Sequence, residues 1–144
     1  MKKINEMRLT FESKSVNEGF SRVAVSSFAS SLDPTVEELS DIKTAVSEAV
    51  TNAIVHGYRE KMGKIYITAT ITDKNIIRIK IRDNGVGIED IEKAREPLFT
   101  TLGGERAGLG FAVMESFMDK VKVRSAPGRG TTVTLEKLIS GKEG

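Results

Sequence analysis

The chain has 144 residues, no cysteine, and 22 basic against 20 acidic side chains, a formal charge of +2. That length fits one domain able to bury its own core without staples, the missing thiols exclude cysteine nucleophiles and thiolate metal sites, and the near-balanced charge excludes a strong general pull toward nucleic acid. The start Met1-Lys2-Lys3-Ile4-Asn5-Glu6 turns polar too soon for a signal peptide, and no run approaches the ~18 apolar residues of a membrane span, so a cytoplasmic protein without membrane contact is expected.

Met7, Leu9 and Phe11 alternate with Arg8, Thr10 and Glu12, predicting a half-buried strand over Glu6–Glu12. From Ser15 to about Ser31 the apolar positions Val16, Phe20, Val23, Ala24 and Phe28 recur at helical spacing. Asp33-Pro34 suits an N-cap and first helical position, so a second helix is expected from about Pro34 to His56, with Gly57 as its stop. Lys64–Thr72 and Asn75–Arg82 read as a hairpin about Asp73-Lys74, with Ile65, Ile67, Ala69 and Ile71 on one face of the first strand and Ile77, Ile79 and Ile81 on one face of the second. A short helix Glu89–Arg95, a loop Pro97–Ala107 and a helix from about Gly108 to Met118 follow. Strands Lys120–Ser125 and Thr131–Lys137 flank the turn Ala126-Pro127-Gly128-Arg129-Gly130, and the small polar residues from about Ser140 predict a frayed end. Without repeats or low-complexity tracts, residues 1–144 read as a single α+β domain, a two-layer sandwich of a mixed, mainly antiparallel sheet with helices on one face.

Four segments carry candidate chemistry. Glu48 and Asn52, with His56 beyond them, recur every four residues and so share one helix face, opposite Ala45, Val46, Ala49, Val50 and Ala53. A carboxylate beside a neutral oxygen ligand is what metal-assisted phosphoryl transfer needs, although such a stripe also serves as a solvated face. Asp83 leads into Gly85 and Gly87, where a carboxylate can accept from the adenine amino group while glycine lets backbone approach a flat ligand; ordinary turns share that composition. Gly103-Gly104-Glu105-Arg106-Ala107-Gly108-Leu109-Gly110 enters a helix whose first N–H groups can take phosphates, with Arg106 placed for a terminal phosphate, or is simply a glycine-capped loop. Thr131 shares a face with Val133 and Leu135, so its hydroxyl rather than that of Thr132 should reach a ligand between the layers, unless both threonines are only strand formers. Neither a P-loop nor a dinucleotide fingerprint is present.

Together and in this order, Glu48…Asn52, Asp83-x-Gly85-x-Gly87, Gly108-x-Gly110 and Gly130-Thr131 resemble the N, G1, G2 and final boxes of the Bergerat-type ATP-binding fold, shared by gyrase-type topoisomerases, heat-shock chaperones, two-component histidine kinases and MutL-type repair proteins. Within it, Val46–Ala53, His56-Gly57-Tyr58, Pro97-Leu98-Phe99-Thr100-Thr101, Glu105-Arg106-x-Gly108 and Met114–Asp119 are similar to the anti-sigma serine kinases of sporulating bacteria, a likeness running from about Asn5 to Leu138. The resemblance implies ATP and Mg²⁺ as cofactors, Asn52 as Mg²⁺ ligand and Glu48 as the base that prepares the attacking hydroxyl. It places Asp83 on the adenine amino group, Gly85 and Gly87 at the base edge, and Thr131 in support through water. Thr100, Thr101, Arg106, Gly108, Leu109 and Gly110 are then nucleotide contacts under a lid spanning roughly Pro97 to Ala107, where Leu102-Gly103-Gly104 departs from the more charged stretch of those kinases.

The same resemblance implies a homodimer that clamps a sigma factor, with Arg22 of the first helix as a candidate partner contact. An unphosphorylated anti-anti-sigma protein would compete for the ATP-bound state and then be inactivated by phosphorylation of a serine, with no direct role for nucleic acid. Alternatives are a stress-response-type anti-sigma kinase and a nucleotide-switched binding module without turnover. A histidine kinase needs a phosphoaccepting histidine on a separate hairpin, and gyrase- or chaperone-type ATPases need a transducer domain; neither is found in the sequence.

Overall fold

Strict alternation in the two longest apolar runs builds the middle of the sheet. Strand β2 (Lys64–Thr72) buries Ile65, Ile67, Ala69 and Ile71, and β3 (Ile76–Asp83) buries Ile77, Ile79 and Ile81, because successive side chains of a strand point to opposite faces. The computed structural model describes residues 1–59, 61–94 and 110–141. Strand β1 (Lys3–Glu12) pairs with β2 on one side, and β5 (Thr131–Leu138) lies between β3 and β4 (Lys120–Ser125), giving the order β1-β2-β3-β5-β4. All four pairings are antiparallel, so among the described strands the sheet holds no parallel neighbour and is simpler than the mixed sheet expected.

Helices cover the isoleucine face. Helix α1 (Val16–Ala29) and the seven-residue α4 (Phe111–Phe117) pack on either side of α2 (Val36–Asn52), and a single turn, α3 (Ile91–Ala94), follows β3. Ile42, Ala45, Val46, Ala49 and Val50 of α2 are buried against the sheet, where Phe111, Met114 and Leu135 complete the core. The opposite face of the sheet carries charged and hydroxyl side chains, among them exposed Lys80, Arg82, Lys122 and Arg124.

Three local features depart from the sequence-based expectation. First, α2 is capped by Thr35 rather than Asp33. Asp33 ends a 3-10 turn (Ser30–Leu32) in the left-handed region at φ 51°, whereas Thr35 is extended and its hydroxyl accepts from the Glu38 N–H at 3.0 Å. Glu38 in turn accepts from the Thr35 N–H at 2.9 Å, a reciprocal capping box that outcompetes a lone aspartate cap. Second, the helix does not run unbroken to Gly57: Ala53–Gly57 forms a widened π turn closed by the Tyr58 N–H on the Ala53 carbonyl at 3.0 Å. Third, Ser140 and Gly141 are not frayed. The Glu38 carboxylate accepts from the Ser140 N–H and hydroxyl, both at 2.8 Å, and from the Gly141 N–H at 3.2 Å.

Candidate active site

The polar stripe of α2 faces the start of α4. Glu48 and Asn52 are half-buried one turn apart, and Gly110, the residue before α4, presses its backbone against Glu48. A Cβ at Gly110 would lie 2.2 Å from Glu48 Oε2, and φ there is +69°, so both space and backbone conformation demand glycine. Burial raises the pKa of Glu48 above its usual 4.5, and the neighbouring Glu18 carboxylate raises it further. Glu18 comes from α1: it accepts from the Ser47 hydroxyl at 2.7 Å and pairs with Arg22 at 3.7 Å. Arg22 is thus linked through Glu18 to Ser47, the residue before Glu48, and keeps part of its side chain exposed on α1.

Asp83 occupies the other end of the same trough. It closes β3 with its carboxylate on the helix-facing side, only 5% exposed, beside the backbone of Gly57. Its Oδ1 accepts from the Gly85 N–H at 2.8 Å. Burial raises the Asp83 pKa, opposed by bonds from the Gly85 and Thr131 N–H groups and by the charge of Arg82. The turn after Asp83 is clasped to the π turn that follows α2, since the Val86 N–H donates to the Gly57 carbonyl at 2.9 Å and a Cβ on Gly85 would lie 2.0 Å from that oxygen. Gly87, at φ +79°, packs against the Ala126 carbonyl of the β4–β5 turn.

Thr131 pairs with Asp83 in the β3–β5 register. Ser125 stands opposite Thr131 across β4–β5 and holds three bonds: it donates to the Gly130 carbonyl at 2.9 Å, receives the Ile88 N–H at 2.7 Å, and meets the Thr131 hydroxyl at 2.8 Å. A serine hydroxyl has one proton, so with Gly130 taking it, Thr131 is the donor to Ser125 and its lone pairs stay available to a ligand.

The structure brings Glu48 against Gly110 at one end of the trough between α2 and the sheet, and gathers Asp83, Gly85, Gly87 and Thr131 at the end of β3 beside Gly57, with Asn52 one turn along α2 from Glu48; Arg22 stands on α1. Thr100, Thr101, Arg106, Gly108, Leu109 and the whole Pro97–Ala107 lid lie outside the described residues. Sequence reasoning missed Ser125, whose role follows only from strand register, and Tyr58, whose hydroxyl receives the Asn84 N–H at 2.8 Å and bonds the Lys64 carbonyl, pinning the Asp83 turn.

The donor set fits a purine nucleotide. A buried carboxylate at one end offers an acceptor to an exocyclic amine, and the close backbone of Gly85 and Gly87 leaves no side chain to block a flat base. Among the described residues no group of three His, Asp or Glu gathers, so a cation beside Asn52 would take most of its ligands from phosphate and water, as Mg²⁺ does.

Fold and trough together define a nucleotide-binding domain of the kinase and ATPase type: the model of the histidine kinase-like ATPase domain matches residues 12–137. The chain is 59% identical over 140 residues to the anti-sigma F factor of Thermoanaerobacter sp. (strain X514), covering 96% of this chain and 97% of that one. It is 55% identical over 138 residues to the anti-sigma F factor of Bacillus subtilis (strain 168), covering 94% of each. The chain belongs to the anti-sigma F factor family. In shape it is similar to the RsbU and RsbW domains of Rv1364c from Mycobacterium tuberculosis, with a TM-score of 0.68 at 19% identity over 94% of this chain and 32% of that one. A blue-light activated histidine kinase from Erythrobacter litoralis matches with a TM-score of 0.62 at 21% identity, over 87% of this chain and 42% of that one.

Proposed function

We propose that the chain binds and holds inactive a sporulation sigma factor and, as an ATP-dependent serine kinase, phosphorylates the anti-anti-sigma protein that competes for it. The observation that carries the chemical half of this reading is the meeting of Glu48 with the Gly110 backbone, at the opposite end of a trough from Asp83. Glu48 accepts the proton of the attacking serine hydroxyl, and its raised pKa makes it a better base than an ordinary carboxylate. Asn52, one turn on, offers its side-chain oxygen to Mg²⁺, which when bound neutralises charge on the phosphoryl oxygens. Asp83 accepts from the adenine amino group, with Thr131 beside it holding a lone pair toward the base or a bridging water. The backbone from 108 to 110 and the side chains of Thr100, Thr101 and Arg106 complete the phosphate end in this reading.

The regulatory half rests on the family and on Arg22. This guanidinium is partly exposed on α1, and Glu18 links it to Ser47 of the helix that carries Glu48, so a partner seated there lies next to the site it controls. In this reading the protein acts in the cytoplasm as a homodimer clasping one sigma factor. The test is to mix the chain with Mg·ATP and candidate anti-anti-sigma proteins, and map phosphorylation by mass spectrometry. One phosphoserine on a competitor is expected, and only the unphosphorylated competitor should release bound sigma factor. Phosphate on no competitor, or only on histidine, would remove the serine kinase assignment.

A further inference from the structure

The open face of the sheet, which the nucleotide trough does not use, is charged unevenly. At the β1–β2 end both signs alternate and pair: Glu6 with Lys3 and Arg8, Glu12 with Lys64. At the β3–β5–β4 end the register sets cations on both sides of a threonine column, with Arg82 opposite Thr132 opposite Arg124, and Lys80 opposite Thr134 opposite Lys122. Only in the next row does an acid appear, Glu136, and Arg78 already holds it at 2.7 Å. Among the described residues Lys80, Arg82, Lys122, Arg124 and Arg129 meet no carboxylate within ion-pair distance and all five are exposed. A face that served only solubility would mix the signs, as the other end does.

Two observations give this patch a shape. Arg82, Arg124, Arg129 and Thr132 line an open depression of about 340 Å³ where the three strands end, and Asp83 and Thr131 line it too. Arg82 is also preorganised: its guanidinium lies 4.1 Å over the Tyr66 ring and donates to Asn84 Oδ1 at 2.9 Å, so little side-chain freedom remains to be lost on binding. Neighbouring strands are ~4.8 Å apart and side chains on one face repeat every ~7 Å. An extended polypeptide laid along the Thr132–Thr134 column therefore presents alternate side chains at the same repeat as the cations flanking it.

We infer that this face docks an extended, carboxylate-rich segment of a partner protein, with one carboxylate seated among Arg82, Arg124 and Arg129. A protein segment fits better than nucleic acid because the face offers no free aromatic platform for bases: its Tyr66 ring is covered by Arg82. The inference does not rest on the kinase reading: its cations lie on the open face of the sheet, although the depression they line borders Asp83 and Thr131.

The test is fluorescence anisotropy of the full chain with a labelled peptide of six Glu-Ser repeats and, separately, labelled dodecathymidylate. The peptide is expected to bind at low salt, to bind more tightly than the oligonucleotide, and to weaken ~10-fold or more as screening rises. The triple change Lys122→Glu, Arg124→Glu and Arg129→Glu should cost at least ~10-fold in peptide affinity while leaving the affinity for an ATP analogue unchanged. If that variant misfolds, Arg129→Ser, confined to an exposed turn, should still weaken the peptide ~3-fold. Failure of the peptide to bind, preference for the oligonucleotide, or undiminished peptide binding by the folded variants would overturn the inference.

Discussion

Burial and the Glu18 carboxylate both favour the protonated form of Glu48, and for the same reason both make its anion a stronger base. Activity and stability then respond to pH in opposite senses. If Glu48 is the base of the proposed transfer, the rate should rise with pH through a pKa above 4.5, and Glu18→Gln should move that limb toward lower pH. Because the folded pKa is the raised one, the folded state is most favoured below 4.5 and loses that advantage as pH climbs through the shifted value. Glu48→Gln should therefore slow phosphoryl transfer by ~10²-fold or more while leaving ATP affinity and neutral-pH melting temperature at or above the parent's. Single-turnover kinetics and thermal melts check both halves. Asp83→Asn replaces an acceptor by a group that can present a donor, so selectivity for ATP over GTP should shrink; calorimetry with both nucleotides reads this directly. Both residues were legible in the sequence because helical periodicity and a strand-terminal Asp-x-Gly place them without long-range information. Ser125 and Tyr58 were not, because each acts through a contact that only strand register or chain return creates.

At the scale of elements, the site depends on how α4 meets α2. Gly110→Ala would thrust a methyl group to 2.2 Å from Glu48 Oε2 and strain a left-handed backbone, so the Glu48 carboxylate must move. The expected result is a fall in transfer rate much larger than the fall in stability, the latter about 1–2 kcal/mol, read from kinetics beside chemical denaturation. Helix α2 also has a device at its other end. Burial would push the Glu38 pKa up, but bonds from Thr35, Ser140 and Gly141 overcome it and hold it down at about 2. With a depressed folded value, its contribution is present above 4.5 and fades as pH falls toward about 2. Glu38→Gln is expected to cost about 1–2 kcal/mol at pH 7 and much less at pH 2, as urea melts at the two pH values would tell. The box itself, Thr35 and Glu38, was readable as a pattern, but Asp33-Pro34 two residues earlier offered a rival start. The tie to Ser140 and Gly141 spans the chain and leaves no local trace.

For the whole molecule, alternating isoleucines decide the architecture. Every strand was legible to within a few residues because one face had to be apolar throughout, and the helices from their periodicity, but α1 turns Val16, Phe20 and Val23 of its expected stripe outward and buries Ser21, Val25, Ser26 and Ala29 instead, since helical spacing marks a face without saying which neighbour covers it. The order β1-β2-β3-β5-β4 was not written in any segment, since pairing partners share composition with non-partners. Ile79 sits at the centre, fully buried between β2 and β5. Ile79→Ala is expected to cost about 2–5 kcal/mol in denaturant unfolding, with the slope unchanged if the transition stays two-state. The π turn at Ala53–Gly57 has a consequence at this scale. It delivers the Gly57 carbonyl to the Asp83 loop just beyond the helix that bears Glu48, whose last α-helical turn from Glu48 to Asn52 advances ~6 Å at ~1.5 Å per residue. Adding or deleting a residue in the α-helical stretch between them would swing the Glu48 carboxylate by ~100° about the axis, so the count of residues from Glu48 to Gly57 sets how that carboxylate is turned relative to the Asp83 loop.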